Sequence, residues 1–185
     1  MNIPRMDIKV TSAKNSERDI LANLLNLYLH DFSEFDDVDI EPDGTFAYPY
    51  LDHYWEDPNR YPFIIRADGT LAGFALIRIL SEPRTGESVI EMSEFFVIRR
   101  LRRSGVGTAA ARRLWDLFVG NWQVDVMAAN VQALPFWRLA VEDYSEGAFT
   151  EERTGTRANE WTSFRFVSGR DVELPDDLDG NVLDY

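Results

Sequence analysis

The stretch that most constrains this chain is residues 94–118, Glu-Phe-Phe-Val-Ile-Arg-Arg-Leu-Arg-Arg-Ser-Gly-Val-Gly-Thr-Ala-Ala-Ala-Arg-Arg-Leu-Trp-Asp-Leu-Phe. It opens as an apolar, strand-like run through Val97 and Ile98. A basic turn punctuated by Gly105 and Gly107 follows. Ala111, Leu114, Trp115 and Phe118 then fall on one face at helical spacing. Strand, glycine turn and helix N-terminus together make an anion site. The first helical N–H groups have no partner within the helix, and the aligned peptide dipoles put partial positive charge there. Gly105 and Gly107 would leave room for the anion and permit positive φ.

Charge sharpens this reading. The chain of 185 residues carries a net charge of −13, yet residues 98–115 hold six arginines (Arg99, Arg100, Arg102, Arg103, Arg112, Arg113) and no acid. The basic island coincides with the glycine turn. The overall acidity speaks against general nucleic-acid binding. The motif is not a P-loop, because no Gly-Lys-Ser/Thr follows, and it is not a dinucleotide GxGxxG.

Length and composition fit one folded domain, 1–185, with 45% hydrophobic and 13% aromatic residues. Its core is expected over residues 6–167, with 168–185 an acidic tail. There are no cysteines and only two histidines, His30 and His53. Disulfides and cysteine nucleophiles are therefore excluded, and no metal site is expected. With no signal-peptide pattern and no apolar run of membrane-spanning length, a cytoplasmic protein without membrane contact is expected.

Taken in order, residues 6–10 alternate as a first strand. Ser16 is a candidate N-cap for a helix reaching His30, with Ile20, Leu24, Leu27 and Tyr28 as its apolar stripe. Residues 31–60 mix acids with aromatics, broken by Pro42, Gly44, Pro49 and Pro58, and residues 49–56 could form a short helix. Acid and aromatic together suit a cationic ligand; an acidic outer face over a packed aromatic underside is the favoured reading of the composition. Residues 61–66 and 71–80 around Asp68-Gly69 read as a hairpin. Residues 88–97 form the strand feeding the glycine turn. Gly120 and Asn121 stop the motif helix, 122–128 is a strand and 130–140 a short helix. Residues 148–152 and 161–167 are final antiparallel strands around Gly155.

Arg102-x-x-Gly105-x-Gly107, five residues after Val97, resembles the acyl-CoA loop of the GNAT superfamily of N-acetyltransferases. Asn130-Val-Gln-Ala-Leu-Pro-Phe136-Trp137 is similar to that family's Asn-x-x-Ala-x-x-x-Tyr. The pairing of Glu-Phe-Phe-Val with Phe-Trp-Arg is similar to a bacterial subgroup of predicted acetyltransferases. The resemblance implies an α/β (α+β) single-domain fold: a mixed, mostly antiparallel sheet of about six or seven strands with helices on both faces. It also implies acetyl transfer from acetyl-CoA, the co-substrate, to a primary amine by direct attack on the thioester. The acceptor would be a small molecule or a peptide, with the acid–aromatic loop favouring a cationic one, and the protein a monomer or homodimer.

Carried over, Val97 would contact pantetheine through its backbone. Arg102, Arg103, Ser104, Gly105, Val106 and Gly107 would cradle the pyrophosphate, with Phe96 and Thr108 flanking them. Asn130 and Phe136 would meet the pantetheine arm. Where many members have a tyrosine that protonates the departing thiolate, this chain has Trp137, whose indole N–H is not a workable acid. An acyl-CoA-binding or interaction module with lost or weak catalysis is the competing reading, and Tyr144 lies seven residues further on. For the base the strand offers Glu91 and Glu94, three apart and so expected on opposite faces. Family parity favours Glu91; a bulge near Phe95 would favour Glu94.

Overall fold

The structure, a computed structural model, describes residues 6–156 and 159–169. The elements follow the chain as β1 (Ile8–Ser12), α1 (Arg18–Phe32), β2 (Arg60–Ala67), β3 (Thr70–Ser81) and β4 (Ser88–Val97). Then come α2 (Val106–Leu117), β5 (Asn121–Met127), α3 (Ala133–Ser145), β6 (Phe149–Thr156) and β7 (Asn159–Val167). The seven strands form one sheet in the order β1-β2-β3-β4-β5-β7-β6. Every pairing is antiparallel except β4–β5. That parallel step needs a crossover, and α2 supplies it.

Helices cover the two faces unequally. On one face α2 and α3 bury Ala111, Leu114, Trp115, Trp137 and Val141 against Ile90, Met92, Trp122, Val124, Phe164 and Phe166. On the other, α1 lays Leu21, Leu24 and Leu25 over Ile64, Phe74, Leu76 and Phe96. This second face carries polar side chains on β5 and β7, where Gln123 and Asp125 alternate with buried Trp122 and Val124.

Two glycine positions are dictated by close geometry. At the β2–β3 turn, Asp68 and Gly69 adopt φ of 49° and 78°, the conformation of a two-residue hairpin that follows strand twist. A Cβ on Gly73 would lie 1.8 Å from the Phe96 carbonyl oxygen, so only glycine lets β3 run this close to β4.

Several sequence boundaries need correction. Ser16 does not cap α1. A short 3-10 turn, Asn15–Glu17, precedes the helix, and the Glu17 carboxylate accepts the Lys14 N–H at 3.1 Å. The 49–56 segment contributes only a 3-10 turn at Asp52–Trp55. The helix α3 begins three residues after Asn130 and runs on to Ser145. Gly155 sits inside β6 opposite Glu160 and not at a turn. The acidic tail from 170 onward lies outside the described residues.

Candidate active site

Between β4 and α2 the chain makes the expected basic loop. A 3-10 turn, Arg99–Leu101, leads to Arg103 at φ 59° and Gly105 at φ 88°. Gly105 is the residue before α2, and a Cβ there would meet nothing within 4 Å. The amides of Val106, Gly107 and Thr108 begin the helix, where N–H groups have no intrahelical acceptor. Gly107 also has a packing role. Its missing Cβ makes room for the Phe136 ring, which a methyl would approach at 3.2 Å. Phe136 also stacks on Phe95 at 6.2 Å and locks α2 and α3 to β4.

The loop arginines divide into two groups. Arg102 donates from Nε to the Val97 carbonyl at 2.8 Å, lies over the Phe96 ring and pairs with Asp31 at the end of α1. Arg99 pairs with the same carboxylate at 2.7 Å. Burial would raise the Asp31 carboxyl, but the two guanidinium hydrogen bonds outweigh it and hold it below its usual range. Arg102 thus braces the loop against α1. Arg100 and Arg103 are exposed and have no ion pair among the described residues. Ser104 donates its hydroxyl to the Leu101 carbonyl at 2.6 Å, which ties the turn internally.

Below the loop the sheet splits. The strands β4 and β5 pair only from Val89↔Asn121 to Met92↔Val124 and then part. From Ser93 to Val97 the open edge of β4 has no partner strand among the described residues. A cleft of about 320 Å³ occupies the gap, lined by Phe95, Val126, Asn130, Ala133 and Trp137 among others. Asn130 sits at this wall, and its side-chain oxygen accepts the Ala133 N–H at 3.2 Å, closing the turn that leads into α3. Trp137 is 7% exposed and packs edge-on against Phe95. Tyr144 lies elsewhere, donating to Asp116 of α2 at 2.9 Å with its ring on Trp115.

A wider cleft of about 730 Å³ lies on the polar face, over β3, β4, β5 and β7. The two clefts share Met92, Ser93, Glu94, Asp125 and Trp161. At this junction the structure overturns the expectation that Glu91 and Glu94 face opposite ways. The β3–β4 register jumps from Leu76↔Glu94 to Ile77↔Met92, leaving Ser93 as an extra residue. The bulge shifts the alternation by one. Ile90, Met92 and Phe95 face the α2–α3 side, and Glu91, Glu94 and Phe96 the other.

The two carboxylates differ in their surroundings. Glu91 Oε2 accepts from Arg78 at 2.7 Å and from the Ser93 hydroxyl at 2.7 Å. Glu94 accepts the Tyr48 hydroxyl at 3.1 Å, and the Tyr28 hydroxyl is close enough to interact with its charge. Burial pushes the Glu94 carboxyl above its ordinary range against the pull of the two hydroxyls, and the Glu91 charge pushes the same way. Tyr28 and Tyr48 are themselves pushed upward by burial and by the Glu94 charge, so both stay protonated donors.

The aromatic loop stands out in the sequence, but this role for Tyr28 and Tyr48 does not, because they reach Glu94 from 66 and 46 positions away. The loop acids mostly face outward. Asp36, Asp37, Asp39, Glu41, Asp43, Asp52 and Glu56 are exposed, while Phe46, Tyr48, Leu51 and Trp55 pack inward. That is the acidic outer face over an aromatic underside. The wide cleft receives Tyr48, Tyr50, Tyr54 and Arg60 from this segment and none of its acids.

A sequence model of the acetyltransferase (GNAT) family matches residues 21–140. The chain belongs to that family. Solved GNAT structures share the fold. One is an acetyltransferase from Thermus thermophilus, with a TM-score of 0.63, 15% identity, and coverage of 89% of this chain and 99% of the other. Another is the spermidine N-acetyltransferase of Vibrio cholerae in complex with CoA and spermine, at 0.56, 14%, 87% and 95%. The ribosomal-protein-S18-alanine N-acetyltransferase of Escherichia coli aligns at 0.55, 13%, 90% and 97%. At these identities the likeness is one of fold alone. No curated protein sequence matches this GNAT chain significantly.

Proposed function

We propose that this GNAT protein transfers an acetyl group from acetyl-CoA to a primary amine, with Glu94 as the base. The observation that carries the reading is the junction of the two clefts at a half-buried carboxylate. The narrow cleft, open along the unpaired edge of β4, suits a pantetheine arm, and the Gly105 loop that follows β4 suits its pyrophosphate. A CoA ligand bound by the V. cholerae enzyme of the same fold supports this. The amides of Val106, Gly107 and Thr108 would face the phosphates, with Arg103 nearby. The wide cleft suits the acceptor.

An acceptor ammonium must lose a proton before its nitrogen can attack. A carboxylate whose proton affinity is raised by burial takes that proton at a pH closer to neutral than an ordinary glutamate does. Glu91 is the weaker candidate, since Arg78 and Ser93 already occupy its Oε2. The free amine adds to the thioester carbonyl; as the C–S bond breaks and CoA leaves as the thiolate, the new nitrogen gives up its extra proton to the departing thiolate or to solvent. That thiolate is a fair leaving group, so Trp137 need not donate a proton.

Trp137 favours a second reading, a module that binds acyl-CoA without efficient turnover. Release of thiol from acetyl-CoA across a panel of amines separates the two. Amine-dependent release that collapses in Glu94→Gln supports transfer. Tight acetyl-CoA binding with no release from any amine supports the module.

A further inference from the structure

The wide cleft has a floor with a charge order of its own. Register places Arg60, Arg78, Glu91, Gln123, Arg165 and Thr150 in one row across five adjacent strand pairings, all facing the cleft side of the sheet. Arg60 is 3.4 Å from Asp57, and Arg78 pairs with Glu91 at 2.5 Å. Arg165 is different. It is exposed along the cleft, its cross-strand neighbours Gln123 and Thr150 are neutral, and it has no ion pair among the described residues.

Of the other acids on this face, Glu152 of β6 is exposed and lies diagonally across from Arg165, as Asp125 does on β5. Glu94 and Asp125 belong to the junction with the narrow cleft, and Asp125 accepts from Ser163 and from Gln123. Arg165 stands two strand spacings from Glu91, roughly 10 Å, and one row back from Glu94 and Asp125. Glu94 thus stands at the junction where the acetyl group would arrive, and the Arg165 guanidinium, without an ion pair among the described residues, further out along the floor. A polyamine reaching along this floor would set its second ammonium against Arg165. A carboxylate there would instead gain a charge-assisted, bidentate partner.

We propose that the acceptor is an amine that also carries a carboxylate, an amino-acid-type molecule held by Arg165 with its amine toward Glu94. This rests on the acetyltransferase reading above and narrows its substrate. Of the two readings of the acid–aromatic loop, a site for a cationic ligand gains no support in the wide cleft, which none of its acids lines and only its tyrosines and Arg60 enter.

Matched pairs test the idea: lysine against cadaverine, ornithine against putrescine, and 5-aminovalerate against pentylamine. In the wild type the carboxylate-bearing member of each pair should have the higher kcat/KM, by roughly 10- to 100-fold for a hydrogen-bonded charge. In Arg165→Gln the advantage should vanish through KM, with acetyl-CoA affinity and melting temperature retained. Amines without the carboxylate preferred or equal in the wild type would overturn the proposal, as would a carboxylate preference that survives Arg165→Gln. Calorimetry of the same pairs against the CoA-saturated protein gives a readout free of turnover. Binding of the amino-carboxylates that Arg165→Gln abolishes supports the site even if no amine is acetylated, in which case the transfer reading fails and the binding site stands. Equal binding of both members overturns the site.

Discussion

Glu91 and Glu94 stand three residues apart in β4 yet face the same cleft, because Ser93 is bulged out of register with β3. In a regular strand residues three apart point to opposite faces. One extra residue brings the second carboxylate round beside the first. It also sets Glu94 between the hydroxyls of Tyr28 and Tyr48 while Glu91 stays with Arg78.

Replacing Glu94 by Gln should lower kcat by about 100-fold or more, the scale of general-base help, with little change in acetyl-CoA affinity. Glu91→Gln should affect the acceptor KM more than kcat, because it frees Arg78. In the wild type the acidic limb of the kcat profile should lie above the ordinary carboxylate range, as burial of Glu94 dictates. A limb that persists unchanged in Glu94→Gln would remove Glu94 from the role.

Tyr48→Phe tests the hydrogen bond directly. The Tyr48 hydroxyl favours the ionised carboxylate, so its loss should move the acidic limb of kcat to higher pH. A shift to lower pH, measured on the same acceptor, would contradict the arrangement.

The same burial has a consequence for stability. A carboxyl raised by the fold contributes stability that is fully present below its unfolded value, near 4.3, and lost as pH rises through the folded value. Glu94→Gln keeps a hydrogen-bond acceptor and removes the charge. Its melting temperature at neutral pH should equal or exceed that of the wild type, and the difference should shrink toward acid pH. Thermal melts at several pH values in which the Glu94→Gln variant falls further below the wild type as pH rises would refute this.

Gly105→Glu should weaken acetyl-CoA binding by roughly tenfold or more, since like charges brought together across an interface cost several kcal/mol. The site offers open space, so the clash is electrostatic as well as conformational. Gly105→Asn, which tolerates the left-handed backbone at φ 88°, should fold and retain most of the affinity. Calorimetry on both variants distinguishes loss of the phosphate site from loss of the fold.

Gly73→Ala should be severely destabilising. Its Cβ would sit 1.8 Å from a backbone oxygen that no rotamer change can move. The strands β3 and β4 would have to separate, at about 3 kcal/mol or more, lowering the melting temperature by roughly 6 °C or more for a chain of this size. A loss below about 0.5 kcal/mol, the scale of an ordinary surface substitution, would mean that the strands are not this close.

The sequence carried the elements whose signal is local. The Asp68-Gly69 turn, the helix after Gly105, the alternation of β5 and the basic loop all depend on backbone preference and side-chain period within a few residues. The family resemblance was equally local, confined to the Arg102–Gly107 and Asn130–Trp137 patterns. Boundaries drifted where tertiary contacts compete with propensity, as ahead of α1, where Glu17 pairs with Arg66 of β2 at 2.7 Å while its carboxylate also takes the Lys14 N–H.

What tertiary structure decided was the assignment of roles. No local pattern marks Ser93 as bulged, and that one residue fixes which way two glutamates point. Tyr28 and Tyr48 reach Glu94 only because α1 and the loop after it fold onto the face that β4 presents. Arg165 enters the cleft because β7 inserts between β5 and β6 and aligns it with Gln123 and Glu91. Local chemistry selects strands and turns over a few residues. The meeting of side chains tens of residues apart is set by strand order and register, which depend on how the whole sheet buries its two apolar faces.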